Sequence, residues 1–242
     1  KAGVKAQEIV VLYRTHAEST ALIEVLNKWQ INYQLNKGDD ILQSPLIQQL
    51  LMLMELIEQF QRGVEMDNLY QVMMLPFINL DAILVMKLAR VAGQMSRIKR
   101  ENMSLYQVYS LGLAEINQHL TGQEITEEQW SSLEDFFAKL AKLAVYSQQL
   151  TLTAWFEKLI SDEACNLSAY LKDRADKINS LLELNTLFKQ IKDLTARDHQ
   201  LSLKKFLDYF ATYREHQLSI RLQNPLPVEE AVQLSTAHGA KG

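Results

Sequence analysis

The end of the chain reads Ala231-Val232-Gln233-Leu234-Ser235-Thr236-Ala237-His238-Gly239-Ala240-Lys241-Gly242. Apolar and polar residues alternate from Val232 to Ser235, which predicts a short, half-buried β-strand. In the loop that follows, glycines would let the main chain come close to a phosphate, while Lys241 would supply a point charge. An ordinary exit from a strand into a loop explains the same spacing, so both interpretations stay open.

A second apolar run lies near the start of the chain, where residues 8–14 read Glu-Ile-Val-Val-Leu-Tyr-Arg. Such a run predicts a buried strand of a parallel sheet. Tyr13 and Arg14 end this strand, and ligands collect at that edge of open parallel sheets. An aromatic ring offers a face to a nucleobase, and a guanidinium offers a planar fork to a phosphate. The alternative is that Tyr13 packs inside the protein and Arg14 lies in solvent.

A small α/β module surrounds these two strands. Thr15 and Glu18 have the spacing of a capping box for a helix over about 17–29, and a second strand is predicted over 31–35. Such a strand–helix–strand unit needs partner strands, and residues 232–235 are a candidate. On the helix we expect one apolar face, formed by Leu22, Val25, Leu26 and Trp29.

Helical patterns fill almost everything between the two ends. Further helices are predicted over about 44–60, 67–74, 80–92, 105–111, from 126 onward, 153–160, 173–195 and 202–218. Asn79 is expected to cap the helix over 80–92 and Gly93 to stop it. The predicted fold class is mainly α, with a large helical insertion (44–227) inside a small, incomplete α/β parallel-sheet module (1–43 and 228–242).

Three of the helices carry long apolar stripes that we expect to be buried. The stripes are Leu46, Leu50, Leu53, Met54 and Ile57; Leu133, Phe136, Phe137, Leu140 and Leu143; and Ile178, Leu181, Leu182, Phe188 and Ile191.

Composition limits the function classes. The net charge is −4 and the sequence pI is about 5.8, so any contact with nucleic acid must be local or must depend on a longer protein. The single cysteine excludes an internal disulfide and fits a reducing compartment, so we expect a cytoplasmic protein. No apolar run is long enough to span a membrane. The histidines lack a second ligand at metal spacing, so no metal site is predicted.

The end of the chain resembles motif V of superfamily one DNA helicases of the UvrD/Rep/PcrA kind, in which an apolar strand precedes Thr-x-His and a small-small-Lys-Gly ending. The stretch Val-Leu-Tyr-Arg-Thr-His-Ala-Glu-Ser resembles motif IV of the same helicases. The two motifs stand in the family's order, separated by a helical insertion. In the family Leu-Glu-Phe follows motif V, whereas this sequence begins at Lys1 and stops at Gly242, which suggests a piece of a longer protein.

The resemblance implies a role for each residue of the two motifs. Tyr13 would stack on the adenine of ATP, and Arg14 would reach the γ-phosphate as an arginine finger. Thr236 and His238 would face single-stranded DNA, with Lys241 nearby.

The resemblance also implies domains and an activity. Segments 1–43 and 228–242 would belong to the second RecA-like domain, and 44–227 would be the helical subdomain called 2B. The parent would be an ATP-dependent helicase that moves 3′ to 5′ along single-stranded DNA for repair or recombination. It would use ATP and Mg²⁺, and its partners would be the first RecA-like domain, single-stranded and duplex DNA and a repair protein.

Other interpretations of the function stay open. The chain contains neither a Walker A nor a Walker B sequence, so alone it is expected neither to bind and hydrolyse ATP nor to unwind DNA. A non-catalytic helical interaction module is one alternative to the helicase. The inactivated helicase half of a RecB/AddA-like helicase-nuclease is the other.

One segment departs from the family pattern. Residues 75–81 read Leu-Pro-Phe-Ile-Asn-Leu-Asp, where family members often carry an Arg-Gly-Ile-Gly stretch that touches duplex DNA. Without glycines, and with a carboxylate at Asp81, this segment is poorly suited to cradle a phosphate. The change resembles the RecB/AddA branch somewhat more than Rep. Nearby, Arg97, Lys99 and Arg100 form either a solvated basic loop or a substitute set of phosphate contacts.

Overall fold

The computed structural model describes residues 4–14, 16–36, 40–161, 165–172, 174, 176–222 and 231–236. The chain divides into two compact units. The α/β unit comprises Lys1–Gln48, Leu171–Gln190 and Phe210–Gly242, and the helical unit comprises Gln49–Tyr170 and Ile191–Tyr209. Most described residues are helical and the strands form one small parallel sheet, which confirms the predicted fold class.

The helices follow the predicted order, and α6 and α9 are two short ones that the sequence patterns did not predict. None of the helices in the described ranges is long and apolar enough to cross a membrane. Their bounds are α1 (His16–Lys28), α2 (Pro45–Arg62), α3 (Leu69–Met73), α4 (Ala82–Lys99), α5 (Leu105–Tyr109), α6 (Leu113–Gln118), α7 (Glu127–Gln149), α8 (Leu152–Ile160), α9 (Leu167–Lys172), α10 (Lys177–Arg197) and α11 (Leu203–Glu215).

The sheet consists of β1 (Val10–Tyr13), β2 (Tyr33–Asn36) and β3 (Val232–Thr236) in the order β1-β3-β2. The central strand, β3, pairs in parallel with both neighbours. The prediction that the end of the chain supplies a partner strand to its beginning is therefore confirmed. Parallel strands cannot be joined by a tight turn, and here α1 crosses from β1 to β2 while β3 arrives from far along the chain.

A small apolar core lies between this sheet and α1. Ile23 and Leu26 of α1 pack with Val232 and Leu234 of the central strand and with Tyr13. The predicted apolar face of α1 is only partly right, because 52% of Val25 and 72% of Trp29 are exposed. Ile23 takes the inward position instead.

The beginning and the end of the long helical segment meet in the α/β unit. The Asp40 carboxylate accepts hydrogen bonds from the backbone N–H of Ile220 at 2.8 Å and of Leu42 at 3.1 Å. Ile41 N–H in turn donates to the Ile220 carbonyl at 2.9 Å. These bonds satisfy backbone groups of two segments that are distant in sequence, and they bring the two connections of the insertion side by side.

The predicted ends of α4 are wrong. Asp81 caps the helix by accepting from the Ile83 N–H at 2.9 Å, whereas Asn79 precedes it with a left-handed φ of 58°. The helix continues through Gly93 to Lys99, because Met95 beyond the glycine is buried and holds the next turn against the core. A glycine in a helix costs only about 1 kcal/mol, which such burial offsets.

The buried face of α10 is also different from the prediction. Ile178 is 64% exposed and Leu181 47% exposed, while the predicted Ile191 is buried. Ser180 and Thr186 are buried on the true face, where the Thr186 hydroxyl donates to the Leu182 carbonyl at 2.8 Å. This bond lets Thr186 lie inside, whereas the buried Ser180 hydroxyl has no hydrogen-bond partner among the described residues. Hydrophobicity alone therefore misplaced part of the stripe. The predicted α2 and α7 stripes are buried, and Leu182 and Phe188 of α10 are half-buried.

Replacing Gly93 by alanine is expected to stabilise the protein. Gly93 lies in the interior of α4 on its exposed side, and no atom lies within 4 Å of the position that a Cβ would take. Alanine loses less backbone entropy on folding, so we expect the free energy of unfolding to rise by about 0.5–1 kcal/mol. Urea unfolding with an unchanged m-value measures this, and a lower stability would contradict the helical geometry at this residue.

Candidate functional site

The carboxyl ends of all three strands lie side by side. In the parallel register Tyr13 of β1 is opposite Thr236 of β3, and Asn36 of β2 is opposite Ser235. Residues from the two ends of the sequence are thus neighbours at the edge of the sheet where ligands bind in open α/β folds. This pairing places the two motif-bearing stretches at one site.

Tyr13 lies in the core beneath this edge. Only 6% of its surface is exposed, and it belongs to the apolar cluster with Leu26 and Leu234. Tyr13 therefore packs inside the protein, as the alternative interpretation of this residue predicted. Stacking on adenine stays a prediction.

Arg14 is exposed directly after β1. Its backbone N–H donates to the Glu18 carboxylate at 3.0 Å, which ties the end of the strand to the first turn of α1. A carboxylate in that turn is also favoured by the helix dipole. Within the part of the chain that the structure describes, the Arg14 guanidinium makes no ion pair, so its charge is open to an anion.

The other predicted site residues are described only in part. The backbone of Thr236 ends β3 beside Tyr13. His238 and Lys241 lie outside the described residues, so their predicted contacts with single-stranded DNA stay predictions. The structure thus brings Tyr13, Arg14 and Thr236 to one edge.

Sequence reasoning missed two residues of this edge. Glu18 was predicted as part of a capping box, and its spacing was the right signal, but its described bond holds the backbone of Arg14. Asn36 ends β2 next to Ser235. The signal for Asn36 was its position at the end of a predicted strand. Only the register of β2 with β3 shows that this strand end lies next to Ser235.

The altered segment 75–81 is anchored in the helical unit. Phe77 is fully buried against Tyr170, with ring centroids 5.9 Å apart, and its carbonyl accepts from the Asn166 N–H at 2.9 Å. One oxygen of Asp81 caps α4, and the other accepts from the Gln129 amide at 2.8 Å. The Phe77 carbonyl and the Asp81 carboxylate therefore bond within the protein.

The comparison with protein families agrees with this geometry. A family model described as the UvrD-like helicase C-terminal domain matches residues 1–242, the whole chain. Among curated proteins, the search found no match. On the full-length family match, together with a parallel sheet that joins the two ends of the sequence around a helical insertion, the chain belongs to the UvrD-like helicase C-terminal domain family.

Proposed function

We propose that the chain supplies the second RecA-like half of the ATP site in an ATP-dependent DNA helicase that moves 3′ to 5′ along single-stranded DNA. In this proposal residues 1–43 and 228–242 belong to that RecA-like domain, and residues 44–227 form the inserted subdomain 2B. The observation that supports it best is the register that pairs Tyr13 with Thr236 at the carboxyl edge. Membership of a helicase family supports an interaction with DNA.

Arg14 is the residue on which the chemistry depends in this proposal. Its exposed guanidinium suits a γ-phosphate presented by the first RecA-like domain, where it would stabilise the charge that develops during phosphoryl transfer. Glu18 would position Arg14 by holding its backbone. Mg²⁺ would neutralise phosphate charge, and its ligands would come from the P-loop and Walker B sequences of the first domain.

The central strand links this nucleotide edge to DNA. Tyr13 would support or stack on adenine, while Thr236, His238 and Lys241 would meet the single strand in the loop after β3. Closure of the two RecA-like domains on ATP, and reopening after hydrolysis, would move the protein along the strand. In this proposal the helicase acts in cytoplasmic DNA repair or recombination, together with a repair protein.

The first test uses the longer helicase that contains this chain. We expect ATP turnover stimulated by single-stranded DNA, and unwinding of a duplex with a 3′ tail but not of one with a 5′ tail. The 242-residue chain alone is expected to show no steady ATP turnover, because it lacks the P-loop.

Each arm of this test can contradict the proposal. Equal unwinding of both tails would overturn the polarity, and turnover by the chain alone would overturn the division of the ATP site. An inactive longer protein would favour the interaction module or the inactivated helicase half.

A further inference from the structure

Three aromatic rings are stacked between α5 and α7 of the helical unit. Tyr109 of α5 lies between Trp130 and Phe137 of α7, with its ring centroid 5.2 Å from the first and 4.1 Å from the second. The ring planes are tilted by only 27° and 25°. Phe137 is buried, whereas Tyr109 and Trp130 are half-buried. The stack therefore runs from the core to the surface and ends at Trp130.

The indole of Trp130 is held in one orientation by its neighbour on α7. Its Nε1–H donates to the Glu134 carboxylate at 3.0 Å, which occupies one carboxylate oxygen and leaves the other as an acceptor. Among the described residues, the indole stacks on Tyr109 alone and no cation lies over it. On the same helix, by contrast, the Lys142 ammonium lies 5.7 Å from the ring centroid of Tyr146. The outer face of the Trp130 ring can therefore accept a cation from another molecule.

The sequence around this stack is acidic. Residues 101–138 contain seven carboxylate side chains, all exposed, and neither lysine nor arginine. Of the seven, only Asp135 forms an ion pair among the described residues, with Lys139 at 2.8 Å. The helix dipole accounts for Glu127 and Glu128 in the first turn of α7 but not for Glu134, two turns into the helix. The seven are Glu101, Glu115, Glu124, Glu127, Glu128, Glu134 and Asp135.

Two of these carboxylates flank Trp130 on one side of α7. Glu127 precedes it by three residues and Glu134 follows it by four, and such spacings make side chains neighbours on a helix surface. Burial and, as a smaller effect, the negative charge of Glu134 raise the pKa of Tyr109, so this charge also acts on the stacked rings. The outer end of the stack therefore combines an aromatic face with two carboxylates.

The nearest described cation of α4 approaches a different side of α7. Lys87 donates to the Glu124 carbonyl at 2.9 Å and to the Gln129 amide oxygen at 3.4 Å. Gln129 precedes Glu134 by five residues, which places it about 140° away around the helix. Lys87 therefore does not neutralise the carboxylates beside Trp130.

The other cations of α4 are also not paired with these carboxylates in the described part of the chain. Arg90 donates to the Gln123 amide oxygen at 3.3 Å. Arg97 and Lys99 lie in the last turn of α4 rather than in the predicted loop, and Arg100 follows as its C-cap. The described ion pairs involve none of these cations. The negative charge beside Trp130 is thus open to a partner.

We propose that the indole face, defined as Tyr109, Glu127, Trp130 and Glu134, binds an arginine-bearing segment of a partner protein. A guanidinium would lie flat on Trp130 and donate to Glu134, while Glu127 adds attraction. Arginine fits better than lysine, because its planar and weakly hydrated group both stacks on rings and donates as a fork. Nucleic acid does not fit, since the carboxylates repel phosphate. The inference goes beyond the proposed function, which concerns the carboxyl edge of the sheet.

The first test compares two peptides on the 242-residue chain. One is a fluorescent peptide of alternating glycine and arginine, and the other has lysine in place of each arginine. Binding is followed by anisotropy at low salt, where attraction between charges is least screened. We expect the wild type to bind the arginine peptide about threefold or more tightly than the lysine peptide, because a guanidinium stacks better on the indole. Trp130→Leu should bind the two peptides equally.

A second variant removes the charge and keeps the size of the side chains. It combines Glu127→Gln with Glu134→Gln, and the new amide oxygen can still accept from the indole N–H. We expect the arginine peptide to bind it roughly tenfold more weakly than the wild type. The matched control combines Glu157→Gln and Glu215→Gln, at exposed carboxylates of α8 and α11, and should bind like the wild type. Circular dichroism checks that each variant keeps its helices.

A third measurement uses the wild type and does not depend on the folding of any variant at the site. The chain contains three tryptophans, so isotope-edited NMR shows three indole N–H signals. Slow hydrogen exchange identifies the buried Trp155, and loss of a signal in Trp29→Ala identifies the exposed Trp29. The remaining signal belongs to Trp130. It should shift when the arginine peptide is added, while the Trp155 signal stays in place.

Several outcomes would overturn the proposal. They are no measurable binding of the arginine peptide, equal affinity of the wild type for the two peptides, an unmoved Trp130 signal, and an equal loss in the control. A Trp130 signal that shifts with the concentration of the chain alone would assign the face to a second copy instead. A shift with duplex DNA would assign it to nucleic acid. None of the measurements uses ATP, so their failure is distinguishable from a failure of the proposed ATP site.

Discussion

Replacing Arg14 by alanine is expected to lower single-strand-stimulated ATP turnover of the helicase that we propose to contain this chain by roughly a thousandfold or more. The guanidinium is exposed at the carboxyl edge of the sheet and makes no ion pair in the described residues. An arginine that acts mainly on the transition state contributes more to turnover than to binding of the nucleotide. We therefore expect only a modest loss of ATP affinity.

The matched control for Arg14 is Arg214→Ala, since Arg214 is an exposed arginine in the last turn of α11. Its turnover should equal that of the wild type. Arg14→Lys should recover little, because an ammonium cannot replace the planar fork. Equal turnover of Arg14→Ala and the wild type would mean that this strand end is structural.

Among substitutions in the helical unit, replacing Trp155 by alanine is expected to cause the largest loss of stability. Trp155 on α8 is fully buried, and its indole N–H donates to the carbonyl of Leu143 on α7 at 2.9 Å. Truncation leaves a cavity between packed helices and removes a buried hydrogen bond from the indole N–H. We expect the free energy of unfolding to fall by about 3–5 kcal/mol, measured by urea unfolding.

The chain offers the same substitution at an exposed tryptophan. Trp29 is 72% exposed at the end of α1, and Trp29→Ala should change stability by less than about 0.5 kcal/mol. Trp155→Phe, which keeps most of the apolar volume but loses the N–H, should fall between the two. If the two alanine variants lost the same stability, burial of Trp155 would not be what stabilises this part of the protein.

Much of the secondary structure could be predicted because its signals are local. Thr126 and Gln129 have the spacing of a capping box and form one at the start of α7. Ser44 and Pro45, residue types favoured at helix starts, precede and open α2. The apolar stripes on these two helices predicted their buried faces correctly, although Glu58 of α2 is buried as well. On α10, where Ser180 and Thr186 are buried, the same reasoning was right for Ile191 but placed the exposed Ile178 and Leu181 inside.

The candidate site could be predicted as two separate motifs. Residue types at two strand ends indicated contacts with a nucleobase and with phosphate, while contact with DNA was implied by the resemblance to helicases. The family match supports that resemblance. No local pattern, however, could show that Tyr13 lies in the core rather than on the surface, or that Glu18 holds the backbone of Arg14. Both facts depend on how α1 packs on the sheet.

Most helices, the capping box of α7 and the existence of the strands followed from the order of residues, because short-range sterics, capping and periodicity act within a few positions. The parallel register that joins Tyr13 to Thr236, the meeting of Asp40 with Ile220 and the continuation of α4 through Gly93 were decided by tertiary structure. In each case the stabilising contacts come from residues distant in sequence or buried in the core. Such contacts can outweigh a local preference worth about 1 kcal/mol.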